Sequence, residues 1–297
     1  MPTPIVSVKP VVLPAPDRGD DLRVRVTAPT TGAGLPLLLL SHGFGESLTS
    51  YDPLVDHWAS HGFAVVQPTH LDSRTLALPP EDPRTPLIWR HRVTDLIRVL
   101  DSLDAVESAV PGLAGRIDRA KVAVAGHSFG AQTAGTLLGA RVLDASGAPG
   151  EDLSDPRVRA GVLLAAAGLG GDGLSPFAAE NFPFMNPGFA QLTTPALVVA
   201  GDADQSLLTT RGPDWFTDAF HHAPGATHLL TLVGGEHTLG GIQGREAAAT
   251  TDENPERVAA IARLTTAYLR AALDGDDAAW TAETAALDAG IGRVTGR

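Results

Sequence analysis

The most chemically telling stretch of this chain is Gly126-His127-Ser128-Phe129-Gly130, a G-x-S-x-G pattern. In a chain with 32 glycines the bare pattern carries little weight. Its setting carries more. It follows the apolar run at residues 121–125 directly and opens a small-residue stretch suited to a helix, the strand–turn–helix context of a nucleophile elbow. A serine hydroxyl is a weak nucleophile until a base takes its proton, and that base needs an acid to orient it. On such a turn the partners are expected in the chain order Ser, Asp or Glu, His. His237, in Gly234-Gly235-Glu236-His237 just past the last apolar run, meets both order and position. His221 and His222 fall at a predicted helix end, His228 falls at a strand start, and His57, His61, His70 and His91 all precede the serine. The acid is expected in Gly201-Asp202-Ala203-Asp204-Gln205, after the apolar run 196–200. An aspartate against a strand end commonly serves the turn, whereas one two residues further on can reach across the loop. Asp204 is therefore the expected partner of His237, with Asp202 in reserve and Asp172 third.

Acyl transfer also needs donors for the developing oxyanion, typically two backbone N–H groups. One is expected from Phe129, the residue after the nucleophile, and the other from Phe44 in His42-Gly43-Phe44-Gly45, the loop after the third strand. Four of the nine phenylalanines, Phe177, Phe182, Phe184 and Phe189, cluster with Met185. Phe182, Phe184 and Met185, with Trp89, are candidates for an apolar substrate wall, and packing of their own segment is the competing role. His70-Leu71-Asp72 sits where it would border the site and reads as structural. Arg84, Arg90 and Arg92 form a local basic patch whose commoner role is a solvated helix start. No H-E-x-x-H, calcium loop or His pair with a carboxylate at ligand spacing is present, so neither a metal nor another cofactor is expected.

The elements that must position these residues follow from periodicity. Residues 6–12 and 22–28 alternate and read as a leading antiparallel pair. Six short apolar runs follow, at 35–40, 63–66, 122–125, 158–165, 196–200 and 229–233, as expected of strands buried on both faces of a parallel sheet. Helical patterns fill the gaps: Val93, Ile97, Leu100 and Leu103 form one stripe, residues 129–143 are predicted as a helix under the sheet, and Asn254-Pro255 opens another with an N-cap and a proline at N1. This is an α/β pattern with a mostly parallel, eight-stranded sheet and helices on both faces. Two Pro- and Gly-rich excursions, 69–89 and 166–194, leave the alternation; both would border a site at the carboxyl ends of strands, and the second is lid-like.

Composition bounds the rest. At 297 residues the chain is read as one domain, 1–297, large enough to bury a core without disulfides. It has no cysteine, which excludes thiol nucleophiles and Cys-held metal centres. Its 22 basic and 34 acidic residues give a net charge of −12, which argues against a nucleic-acid partner. No apolar run reaches the roughly 18 residues that span a bilayer, and the N-terminus lacks a signal-peptide pattern. A cytoplasmic monomer or homodimer with a small-molecule ester as its partner, and no membrane, is expected. The tail 274–297 is open to reading as a docking helix around Trp280 and Leu287 or as a dimer contact.

With its H-G-F-G loop, its G-H-S-F-G elbow, Gly201-Asp202-Ala203-Asp204 and His237, the chain resembles α/β-hydrolase serine esterases from about residue 6 to 273. It is most similar to the dienelactone-hydrolase-like branch that includes platelet-activating-factor acetylhydrolases, chlorophyllases and cutinase-like polyester hydrolases. The resemblance implies an acid at Asp204, oxyanion donors at Phe44 and Phe129, and a cofactor-free site. Dienelactone hydrolases proper use a cysteine nucleophile, which this chain cannot supply. The expected activity is carboxylic-ester hydrolysis through an acyl-enzyme on small to medium apolar esters. Thioesterase, lactonase, amidase, perhydrolase and polyester or phthalate-ester hydrolase share the same triad, and a non-catalytic ligand-binding protein on a hydrolase scaffold is the rival from another class.

Overall fold

The computed structural model of the chain describes residues 2–79, 81–144, 146–244 and 250–297. Residue 80, within the first excursion, lies outside them. The chain opens with β1 (Ile5–Leu13), β2 (Leu22–Pro29), β3 (Leu35–Ser41), α1 (Asp52–Ser60), β4 (Ala64–Pro68), α2 (Ile88–Asp101) and α3 (Leu103–Ser108). It continues through β5 (Ile117–His127), α4 (Phe129–Leu137), β6 (Arg141–Val142), β7 (Val158–Leu164), α5 (Pro176–Asn181) and β8 (Pro187–Gly188). It closes with β9 (Ala196–Gly201), α6 (Asp218–His222), β10 (Ala226–Leu232), α7 (Pro255–Asp274), α8 (Ala278–Ala285) and β11 (Gly292–Gly296).

The main sheet has nine strands in the order β1-β2-β4-β3-β5-β7-β9-β10-β11. The six strands from β4 to β10 run parallel, while β1, β2 and β11 pair antiparallel at the edges. The continuous apolar runs become central strands because both faces are covered. Leu37–Leu40, Val122–Ala125 and Leu197–Val199 are almost wholly buried. One group of helices, α1 and α7, packs together with an indole hydrogen bond from Trp58 Nε1 to Thr265 Oγ1 at 3.0 Å. A second group, α2 and α4, covers the sheet around β3 and β5. The α7 start follows its sequence signature: Asn254 Oδ1 accepts the N–H of Arg257 at 2.9 Å, Pro255 is the first helical residue, and Gly275 takes the left-handed conformation at the far end.

Three sequence expectations are corrected. The sheet has nine strands rather than eight, because the tail adds β11 to the outer edge of β10, with Thr231 opposite Arg293. Gly-Arg-Val-Thr-Gly is too short and glycine-rich to carry an alternation signal. The helix expected over 129–143 ends at Leu137; the chain turns at Gly139 (φ 117°), and Arg141–Val142 instead pairs with Pro187–Gly188 in a two-stranded ribbon. The stripe from Val93 to Leu103 spans two helices, since Leu103 opens α3. The tail helix α8 does dock: Trp280 is buried in edge-to-face contact with His228 and Tyr268, at ring centroids of 5.2 and 5.5 Å. Trp280→Ala is expected to cost about 3 kcal/mol, read as a lower unfolding midpoint in urea; an unchanged midpoint would mean that the tail contributes no stability.

Candidate active site

Each candidate residue stands at the carboxyl end of a parallel strand, where an open sheet leaves a crevice. Ser128 follows β5 in a turn held by close backbone approach. A Cβ on Gly126 would lie 2.0 Å from the carbonyl oxygen of Gly130, and one on Gly130 would lie 2.0 Å from that of Ser41. Only glycine fits at these two places. Ser128 itself takes φ 56°, ψ −119°, a conformation an L-residue adopts only when its surroundings enforce it. Its N–H donates to the Leu164 carbonyl on the adjacent strand at 2.9 Å.

His237 comes from the loop after β10, and its Nε2 lies 2.8 Å from Ser128 Oγ. Its Nδ1 lies 3.0 and 3.2 Å from the two carboxylate oxygens of Asp204, in the loop after β9. With Nδ1–H donating to Asp204, Nε2 presents its lone pair to the serine hydroxyl. Asp204 is fully buried, and burial raises its carboxyl above the ordinary range while the bond from His237 opposes that rise. Asp202 is spent elsewhere: its Oδ1 accepts the Gly234 N–H at 2.7 Å. Asp172 sits exposed in a separate turn at Gly171–Gly173.

Phe44 and Phe129 both line the cavity into which Ser128 opens. Phe129 is the first residue of α4, so its N–H has no carbonyl of its own helix to reach. Among the described residues neither N–H meets an acceptor. The neighbouring groups of the Phe44 loop are all tied down. Gly43 N–H donates to Tyr51 Oη at 2.9 Å, Gly45 N–H to Asp72 Oδ2 at 3.3 Å, and the His42 carbonyl accepts from Arg92. Arg92 is the organiser here. Fully buried, it pairs with Asp72 at 2.6 Å, donates to Thr133 Oγ1 on α4 at 3.1 Å and lies 4.4 Å from the Phe129 ring centroid. Burial pushes Asp72 up, but the Arg92 guanidinium more than offsets this and leaves its carboxyl below the ordinary range. The basic patch seen in sequence is thus consumed internally: Arg84 bonds Asp82 and Asp20, Arg90 pairs with Glu151, and Arg92 is not solvated at all.

Ser128 opens into a cavity of about 870 Å³ between the two excursions. Phe44, Phe129, Phe182, Phe184 and Met185 form apolar parts of its wall, with Phe129 and Phe184 stacked at 5.4 Å. Trp89 stands behind this wall rather than in it, packed with Leu71 and Ile88. Phe189 is core and Phe177 is exposed, touching Phe182 edge-on. Among the described residues no three His, Asp or Glu side chains are grouped to hold a metal ion, and no helix is long and apolar enough to cross a membrane.

Three supports carry no signal of their own in the sequence: Tyr51 and Asp252 lie outside any motif, and His127 fills a variable position of the elbow. Tyr51 and His127 connect the Phe44 loop to His237 from within, and Asp252 clamps the His237 loop from without. Asp252 accepts the N–H of Glu236 at 2.8 Å, the N–H of Gly240 at 2.9 Å and the Thr238 hydroxyl at 2.6 Å. It also pairs with buried Arg257 at 2.9 Å. No spacing rule points to a residue 15 positions past the histidine. Asp252→Ala would strand a buried guanidinium and three donors. It is expected to destabilise the fold by about 3–5 kcal/mol in chemical denaturation; a loss under 1 kcal/mol would show that the clamp is replaceable.

A strained serine after a central strand of a mostly parallel sheet, with an imidazole and a carboxylate on two later loops, is the arrangement of the α/β-hydrolase fold. The model of the Chlorophyllase family matches residues 14–142, from the end of β1 through β6. The matched stretch holds the Phe44 loop and the Ser128 elbow and stops short of Asp204 and His237. The match indicates a hydrolase that acts on esters.

Proposed function

We propose that the protein is a serine carboxylic-ester hydrolase that works through an acyl-enzyme on small to medium apolar esters. The observation that carries this reading is the unbroken line Ser128 Oγ–His237 Nε2, His237 Nδ1–Asp204 at 2.8 and 3.0 Å, ending in a buried carboxylate at one end and a largely apolar cavity at the other. Ser128 Oγ attacks the ester carbonyl carbon as its proton passes to His237 Nε2. The oxyanion that forms accepts hydrogen bonds from the Phe44 and Phe129 N–H groups. Asp204 holds the imidazole in its tautomer and stabilises the imidazolium. Collapse of the tetrahedral adduct returns the proton to the leaving alkoxide and releases the alcohol. A water, deprotonated by His237, then attacks the acyl-enzyme, and the second adduct expels Ser128 and frees the acid. The aromatic wall favours an apolar group, and a site with this triad can act on thioesters or lactones without further machinery.

A fluorophosphonate probe tests the reading. Stoichiometric modification of Ser128, located by mass spectrometry, together with turnover of short p-nitrophenyl esters, is the expected result. An unlabelled Ser128 in folded protein would mean that the serine is not activated, and the non-catalytic reading would take over.

A further inference from the structure

Between the two loops that would act on the reacting carbonyl runs a buried chain of hydrogen bonds. Gly43, one residue before the Phe44 donor, gives its N–H to Tyr51 Oη at 2.9 Å. Tyr51 Oη lies 2.9 Å from His127 Nδ1, and His127 Nε2 lies 2.8 Å from the carbonyl oxygen of His237. The directions are set by chemistry. A carbonyl only accepts, so His127 Nε2 carries the proton. The neutral ring then accepts at Nδ1, so the Tyr51 O–H must donate there while its oxygen accepts from Gly43. Burial, and the neighbouring His237, press His127 down to about 3, so the ring holds this single tautomer across the working pH range.

We propose that Tyr51 and His127 are positioning residues that lock the oxyanion loop and the His237 loop into one geometry through this chain. The inference rests on the hydrolase reading above. Three further features support it. Tyr51 is fully buried and holds φ 67°, a left-handed conformation that a bulky residue keeps only when its contacts enforce it. Its backbone N–H donates to the Gln243 carbonyl at 3.0 Å, so Tyr51 grips the segment behind His237 with its main chain and, through His127, His237 itself with its side chain. The His127 ring also packs at 5.2 Å from the His237 ring, and Phe216 packs at 5.6 Å from the same ring. The main chain at His237 can then move relative to the Phe44 loop only by breaking a link of the chain, while the two rings packed on the imidazole restrict its rotation. Neither Tyr51 nor His127 reaches the substrate; both act through the groups they hold.

The test uses Tyr51→Phe, His127→Leu, His127→Gln and the double variant Tyr51→Phe/His127→Leu, assayed on p-nitrophenyl butyrate. Each break in the chain is expected to lower kcat by about 10- to 100-fold with KM within about twofold, because the loss is one of transition-state geometry. His127→Gln, whose amide can still donate to the His237 carbonyl, is expected to recover part of the loss seen in His127→Leu. The double variant is expected to be no slower than the worse single one, since a chain already cut is not cut again. Inactivation by the fluorophosphonate should slow in parallel. Urea unfolding supplies the control for a merely structural role, which would lower the midpoint and leave kcat per folded molecule unchanged. A kcat within twofold of the parent in Tyr51→Phe, or fully additive losses, would overturn the proposal. If Tyr51→Phe folds poorly, a kcat within twofold of the parent in His127→Leu overturns it equally. A parent protein that neither turns over esters nor takes the probe would overturn the hydrolase reading instead, and the relay with it.

Discussion

Ser128→Ala is expected to lower kcat on a short p-nitrophenyl ester by about a millionfold, leaving only what the oxyanion donors and the cavity supply. The size follows from the arrangement: among the described residues Ser128 Oγ is the atom hydrogen-bonded to His237 Nε2, at 2.8 Å, and the proposed mechanism has no second nucleophile at the elbow. Alanine keeps the backbone and Cβ, so the strained turn at φ 56° is neither relieved nor worsened. The hydroxyl's removal leaves His237 Nε2 partly exposed to water rather than stranded, because the His237 side chain is 37% accessible. The fold should therefore hold, with an unfolding midpoint close to that of the parent. Steady-state assays with a circular dichroism control check this. Turnover within a hundredfold of the parent would show that Ser128 is not the nucleophile.

Asp204→Asn is expected to lower kcat by about 10⁴-fold, while Asp202→Asn leaves it within a few-fold. Asparagine keeps the volume of Asp204 but sets an amide N–H against His237 Nδ1, which favours the tautomer that turns a hydrogen rather than a lone pair toward Ser128. It also removes the charge that would stabilise the imidazolium. Asp202 touches neither the imidazole nor the cavity and only serves the Gly234 turn. Side-by-side kinetics of the two variants decide the matter, and comparable losses in both would reassign the acid. Because Asp204 is buried, a stability loss is expected as well, so kcat must be referred to folded protein, for instance by titrating active sites with the fluorophosphonate.

Much of the site is legible in the sequence because its demands are local. A turn tight enough to bring the Gly130 carbonyl within 2.0 Å of a would-be Cβ at Gly126 admits glycine alone, and that need is written in adjacent positions. The same holds for the apolar runs that become β3, β5, β7, β9 and β10, whose shortness and continuous apolar character announce strands covered on both faces. The chain order of serine, acid and histidine follows from where consecutive strand ends fall in such a sheet. Trp89, by contrast, ends an excursion, a place that suggests the substrate wall, yet it packs behind that wall instead. An aromatic residue in sequence does not say which side of its segment faces the cavity.

What is not legible depends on pairs far apart in the chain. Asp252 and Glu236, Arg92 and Asp72, and Tyr51 and His127 are separated by 16, 20 and 76 residues, and nothing in their local sequence marks them as partners. The ninth strand is of the same kind: Gly292–Gly296 pairs because β10 presents an open edge, not because it has a pattern of its own. Backbone chemistry that acts within a few residues, turns, caps and strand runs, is therefore carried by residue type, and it specified an α/β sheet with a nucleophile elbow and named the residues that can meet there. Residue spacing also ranked Asp204 ahead of Asp202; the clamps on the histidine loop and the shape of the cavity wall arise only when the sheet closes, because hydrogen bonds and packing act through space and their partners are supplied by topology.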